Sequence, residues 1–93
     1  MSDRLSFSID GVRKTAETMR ENNTLNKKNK EAFLNYIDNN LVPEWNTPQG
    51  QVAIEELKAF VNGQYQEYVD YLDGKIDALE NVVIPALERI NNA

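Results

Sequence analysis

Ninety-three residues allow one small domain with a thin core, and a composition of 41% hydrophobic and 27% charged residues excludes a disordered tail and a membrane-embedded chain. The absence of cysteine and histidine removes disulfides, thiol nucleophiles, Cys/His zinc sites, the usual proton shuttle and the Glu-x-x-His pairs of di-iron bundles. A net charge of −5 and a pI near 4.6 argue against nucleic acid and against an anionic membrane surface, so no catalytic residue, metal ligand or cofactor is assigned.

The N-terminal stretch MSDRLSFSIDGVRK lacks the apolar core a secretory signal needs, and the longest apolar run, Val82-Val83-Ile84, is far short of a membrane span. The protein is therefore expected either to stay inside the cell or to leave by a route that reads its folded form. Helix 1 is expected over about 8–41. Ser6 or Ser8 is its cap, Asp10 lies at the positive end of the dipole, and Gly11 slightly weakens the first turn. Its stripe runs Ile9, Val12, Ala16, Met19, Asn23, Asn26, Lys30, Phe33, Ile37, Leu41, in steps of three or four with a polar centre. Residues 22–30 are read as continuous helix, although Thr24 offers a second start.

Pro43 is expected to end helix 1, because it donates no helical bond and pushes the preceding residue out of the α region. The turn is placed at 42–48, where the stretch WNTPQG (45–50) begins. Thr47 followed by Pro48 is a sound helix start, with a hydroxyl at the cap and a proline where its missing N–H does no harm. Helix 2, about 49–84, carries Ala53, Leu57, Phe60, Gln64, Tyr68, Leu72, Ile76, Leu79, Val83, Ala86 and Ile90, about 3.7 residues per turn, which predicts nearly straight helices. Pro85 should kink it or end its main body near Val82, leaving a short tail.

The helices match in length, each roughly 50 Å at 1.5 Å per residue, so the fold class is all-α: an antiparallel two-helix hairpin forming a single domain over 1–93. Folding back at the turn pairs residues whose numbers total about 92. That register sets Phe33 on Phe60, Met19 on Leu72, Ala16 on Ile76, Val12 on Leu79 and Ile9 on Val83, with Asn26 and Lys30 near Gln64. Residues 1–40 carry seven Lys/Arg against six Asp/Glu, and residues 41–93 three against nine. The same register brings Arg20 near Asp73, and Arg13 and Lys14 near Asp77 and Glu80. Exposed pairs of this kind contribute about 0–1 kcal/mol and select a pairing more than they hold it. The expected core is Val12, Ala16, Met19, Phe33, Ile37, Leu57, Phe60, Leu72, Ile76, Leu79 and Val83.

A lone hairpin of this size is thin-cored, and apolar residues remain off the main stripes. Leu34, Tyr36, Val61, Tyr65, Tyr68 and Tyr71 are the expected partner surface, through which two hairpins would form a dimeric four-helix bundle. Glu67, Asp70, Asp73, Asp77 and Glu80 make an acidic stripe, read as a solvated face because a straight helix spreads carboxylates that a Ca²⁺ cage would gather. Glu55-Glu56 is no acid/base couple, since neighbours on a helix point about 100° apart. Trp45 has two readings: a plug for the closed end of the hairpin, or an anchor that another protein inspects.

Two long antiparallel helices of about a hundred residues with a Trp-containing turn resemble the WXG family of small type VII (Esx) secretion substrates. The motif glycine falls at Gly50, giving W-x-T-P-x-G, with Thr47 where Trp-x-Gly has its glycine. The resemblance implies a homodimer, or a heterodimer with a WXG-like paralogue, exported folded without a cleaved signal by a secretion ATPase after a cytoplasmic pool forms. Trp45, Thr47, Pro48 and Gly50 would be the turn and export motif. The family's Tyr-x-x-x-Asp/Glu signal is missing, since Val69, Leu72 and Lys75 follow Tyr65, Tyr68 and Tyr71. A partner would supply it, or the chain would accompany an LXG-type toxin as a small chaperone. Two other classes are a cytosolic adaptor or antitoxin-like protein that is never exported, and, more weakly, a metal buffer using the acidic stripe.

Overall fold

The computed structural model describes residues 2–92, with side chains over 9–92. The chain is an all-α helical hairpin with no strand among the described residues. Its first arm comprises α1 (Ser2–Tyr36), a π turn (Ile37–Leu41) and α2 (Val42–Glu44). The second comprises α3 (Pro48–Phe60), a π turn (Val61–Tyr65), α4 (Gln66–Ala78), a π turn (Leu79–Val83) and α5 (Ile84–Asn92). The helix starts at Ser2, so Ser6 and Ser8 lie inside it rather than capping it, and it continues through 22–30 without a break.

Neither Pro43 nor Pro85 ends its helix: the first arm runs one turn further, to Glu44, and the second runs on to Asn92. A π turn occupies the same five positions before each proline, Ile37–Leu41 before Pro43 and Leu79–Val83 before Pro85. A proline ring collides with the carbonyl four residues back and leaves it without a donor. The wider π turn bonds i to i−5, as in Val42 N–H to Ile37 O and Ile84 N–H to Leu79 O, and so accommodates the ring. The third π turn, Val61–Tyr65, contains Gly63 and no proline.

The chain divides into two compact units, Thr24–Asp70 and Met1–Asn23 with Tyr71–Ala93. In the first, Ile37, Ile54, Val61 and Val69 are buried, with Leu34, Leu41, Leu57 and Tyr65 half-buried. In the second, Ile9, Ala16, Asn23, Ile76 and Ile84 are buried, with Val12, Met19, Leu72 and Leu79 half-buried. Three expected core residues are therefore corrected: Phe33 is 40% exposed, Phe60 52% and Val83 37%.

The physical reason is a seam of heptads broken by single extra residues. On the first arm Ile9, Ala16, Asn23, half-buried Lys30 and Ile37 recur every seven residues. On the second, Ile54, Val61, Val69, Ile76 and Ile84 are spaced seven, eight, seven and eight, and each step of eight contains a π turn. A π turn takes up one residue without rotating the helix face. The 3.7-residue period thus averages two heptad steps with two insertions, and does not describe uniformly straight helices. A stripe drawn at constant pitch lands one residue off, on Ala53, Phe60, Tyr68 and Val83 instead of Ile54, Val61, Val69 and Ile84. In Phe60-Val61, Tyr68-Val69 and Tyr36-Ile37 the aliphatic residue is buried and the ring is exposed.

The register is offset in the same systematic way. Lys58–Asp38 (2.6 Å), Lys30–Gln66 and Asn23–Asp73 (2.8 Å) each total 96 rather than 92. Side chains lean toward the N-terminus of their own helix, away from the turn on the first arm and toward it on the second. Groups that meet therefore start from Cα atoms offset along the hairpin. Long side chains extend the offset: Arg20 pairs with Glu80, and Arg13 pairs with Glu88, with Asp10 at 3.6 Å, rather than with Asp77 or Glu80. The polar centre of the first arm is satisfied across the seam, where the Asn26 carbonyl accepts from the Tyr65 hydroxyl at 2.9 Å, although Gln66 replaces Gln64 as the partner of Lys30.

Candidate interaction surface

The turn is built by Trp45, Thr47, Pro48 and Gly50. Trp45 N–H still donates to Leu41 O (2.8 Å), and its own backbone, at φ −108° and ψ 48°, then leaves the helix. Thr47 is extended, and its Oγ1 accepts from Gly50 N–H (3.0 Å) while its carbonyl accepts from Gln51 N–H (2.9 Å), so it caps α3 with Pro48 as the first helical residue. Gly50 is buried, and its φ is not positive. A Cβ placed there would lie 2.5 Å from Trp45 O, 2.8 Å from Trp45 Cβ and 3.0 Å from Thr47 Oγ1. The glycine is needed for close approach to the tryptophan backbone, not for conformational freedom.

The Trp45 ring is 44% exposed and borders a groove of about 250 Å³ with Thr47, Gln49, Gly50 and Ala53. It is neither sealed inside the turn nor extended into solvent. A second groove, about 330 Å³, is lined by Asn29, Lys30, Phe33, Phe60, Val61 and Tyr65. Helical spacing extends that side: Leu25 and Tyr36 lie four and seven residues from Asn29, and Ala53, beside Trp45, lies seven before Phe60. Tyr68 lies eight after Phe60 across the π turn, the same step that joins Val61 to Val69. Leu25, Tyr36, Phe60 and Tyr68 are each more than half exposed.

The lining of this groove is aromatic and, apart from Lys30, uncharged, while Glu56, three residues after Ala53 and four before Phe60, is an exposed charge on the same side. Lys30 reaches its edge, but its Nζ donates to Gln66, which lines a different groove with Lys27, Glu31 and Leu34. The same unit holds the Asp38–Lys58 pair.

The structure thus separates the residues expected to bind partners. Val61 is buried at 3% exposure, and Tyr65 and Leu34 are half-buried in the seam, so these three belong to the hairpin's own packing. Tyr36 and Tyr68 stand on the exposed face. Tyr71 lies in the other unit, 60% exposed, with Lys75 Nζ 5.2 Å from its ring centroid. Phe33 and Phe60, expected inside, join the surface instead. The aromatic-next-to-aliphatic pairs were the available signal in the sequence, since neighbours on a helix point about 100° apart and only one of each pair can face the other arm.

The acidic stripe is dispersed. Asp70 accepts from Gln66 (2.8 Å), Asp73 from Asn23 and Asp77 from Asn81 (2.6 Å), while Glu80 pairs with Arg20. Among the described residues no three acidic side chains gather as a metal cage, and no helix is long and apolar enough to cross a membrane. No protein-family model, curated protein or solved structure matches this chain.

Proposed function

We propose that this chain is a WXG-like, partner-binding helical hairpin that travels through a type VII secretion system, or helps a partner travel, and that it acts by association rather than catalysis. The observation that carries this reading is the fit of Gly50 against Trp45. Tryptophan and glycine form one packed unit at the turn, where 2.5 Å from the Trp45 carbonyl leaves no room for any Cβ. Trp45 is 44% exposed, a rim position suited to recognition by another protein. The exposed aromatic face supports action through a partner, whether a second copy, a paralogue or an LXG-type toxin.

The test is detection of the protein in culture medium with and without the secretion ATPase, for wild type and Trp45→Ala. Export that needs the ATPase and is lost in Trp45→Ala, with stability and association intact, supports recognition of the ring. Loss of export in proportion to lost stability assigns Trp45 to packing. Absence of the wild-type protein from the medium favours the cytosolic adaptor.

A further inference from the structure

We infer that Asn62-Gly63, in the π turn of the second arm, is a self-modification site, where the Asn62 amide is lost through an internal imide and replaced by aspartate and isoaspartate. The site is independent of the export reading and needs no partner.

The reaction takes only water. The Gly63 backbone nitrogen attacks Cγ of Asn62, and a C–N bond forms as the bond from Cγ to the side-chain nitrogen breaks. The Gly63 N–H proton leaves with that nitrogen as ammonia, and a cyclic imide remains. Water then opens either carbonyl of the imide. One product is aspartate in the ordinary backbone; the other is isoaspartate, in which the chain runs through the side-chain carbon. No atom is oxidised or reduced.

The first condition lies in the sequence. An attacking backbone nitrogen is least hindered when its own residue has no Cβ. Gly63 is the one glycine of four that follows an asparagine. Gly11 and Gly74 follow aspartates, whose ionised carboxylates resist attack at neutral pH, and Gly50 follows Gln49, whose longer side chain closes a larger ring.

The second condition is a free side chain with room beside it. Asn62 is exposed, and its amide has no hydrogen bond to another described residue. Asn23 and Asn81, in contrast, are held by Asp73 and Asp77 at 2.8 and 2.6 Å. Space at the attacking residue is open as well, since a Cβ at Gly63 would meet nothing within 4 Å.

The third condition is backbone freedom. Regular helix turns the Gly63 nitrogen away from Asn62 Cγ and holds its N–H in a bond, so the reaction waits for local opening. Val61–Tyr65 is a weak point of this arm. Gln66 N–H bonds three residues back, to Gly63 O, whereas the proline-linked π turns close five back. At the other edge, Val61 N–H is shared between the Leu57 and Lys58 carbonyls. The bonding thus changes spacing on both sides of a glycine, the residue that gains most backbone freedom on opening. The product sets a new carboxylate four residues after Lys58, where it competes with Asp38 for that lysine. The isoaspartyl form also adds a backbone carbon within the eight-residue step from Val61 to Val69.

Peptide mapping by mass spectrometry tests this on the purified full chain kept warm at neutral pH. The expected result is conversion at Asn62 ahead of every other asparagine, including Asn46 in the non-helical turn, with both aspartyl and isoaspartyl products. Raising the pH should speed it, because the attacking nitrogen must give up its proton. Gly63→Ala keeps the fold, since the added Cβ has open space, and should slow conversion at least about fivefold, the fall in opening that helix propensity alone implies. Asp73→Asn places a second Asn-Gly pair in unbroken α4, and its amide should outlast that of Asn62. An unchanged Asn62 in a chain whose Asn46 converts would overturn the inference. So would aspartate without isoaspartate, or equal rates in wild type and Gly63→Ala. Equal conversion at positions 62 and 73 would overturn the assignment to the π turn.

Discussion

Gly50 and Trp45 show how a single missing methyl group can shape a turn. The obstacles to a Cβ at residue 50 are the Trp45 carbonyl oxygen and the Trp45 Cβ, both of which survive truncation of the indole. Gly50→Ala is therefore expected to destabilise the hairpin by about 1–3 kcal/mol, the usual range for overpacking. The same cost should appear in a Trp45→Ala background. Urea unfolding of the four-member cycle checks this, and relief of the penalty by Trp45→Ala would mean that the indole, not the backbone, sets the fit. The sequence held part of this: Thr47 and Pro48 were legible as a cap and a first helical residue because both act within four residues. The demand on Gly50 was not legible, since it depends on where the chain leaves the preceding helix.

At the scale of the helix, the π turns decide which residues point inward. An ordinary deletion rotates everything beyond it by about 100° and moves the core face off its partner. Deletion of Gly63 should behave differently, because it converts Val61–Tyr65 into ordinary helix and turns the Val61-to-Val69 step into a heptad. We expect a folded hairpin with stability changed by less than about 1 kcal/mol, or about 4–8 °C in Tm at most. Deletion of Lys28, in the unbroken α1, should lower Tm severely, because no π turn is near enough to take up the change. Thermal melts followed by circular dichroism compare the two, and equal damage would show that the π turn does not buffer the seam. The prolines mattered for a different reason than their local chemistry suggested. Each was read as a stop, yet a π turn placed two to six residues upstream lets the helix continue.

For the whole molecule, the arms are matched by charge and by lean. Arg20 and Glu80 are exposed and pair across the seam, so each contributes little on its own. Arg20→Glu and Glu80→Arg should each cost less than about 1 kcal/mol by urea unfolding, and the double exchange should recover most of the loss. Failure of the double variant to recover would mean that the pair plays no part in choosing the register. The arms' charge imbalance, visible in the sequence, identified the right kind of contact. It named the wrong partners for Arg13, which meets Glu88, because facing positions were counted from Cα atoms rather than from side chains that lean toward their own N-termini.

The sequence by itself determined an all-α chain folded once within 42–48, with a cap at Thr47 and a polar centre that pairs across the arms. Those features follow from helical periodicity and from contacts made within a turn or two. Only the tertiary structure decided which of Phe60 and Val61, or of Tyr68 and Val69, faces the other arm. The physical reason is that each such pair is apolar at both positions, so hydrophobicity alone is indifferent. The residues absorbed by the π turns break the tie, placing the aliphatic side chains inside and leaving these rings as a surface.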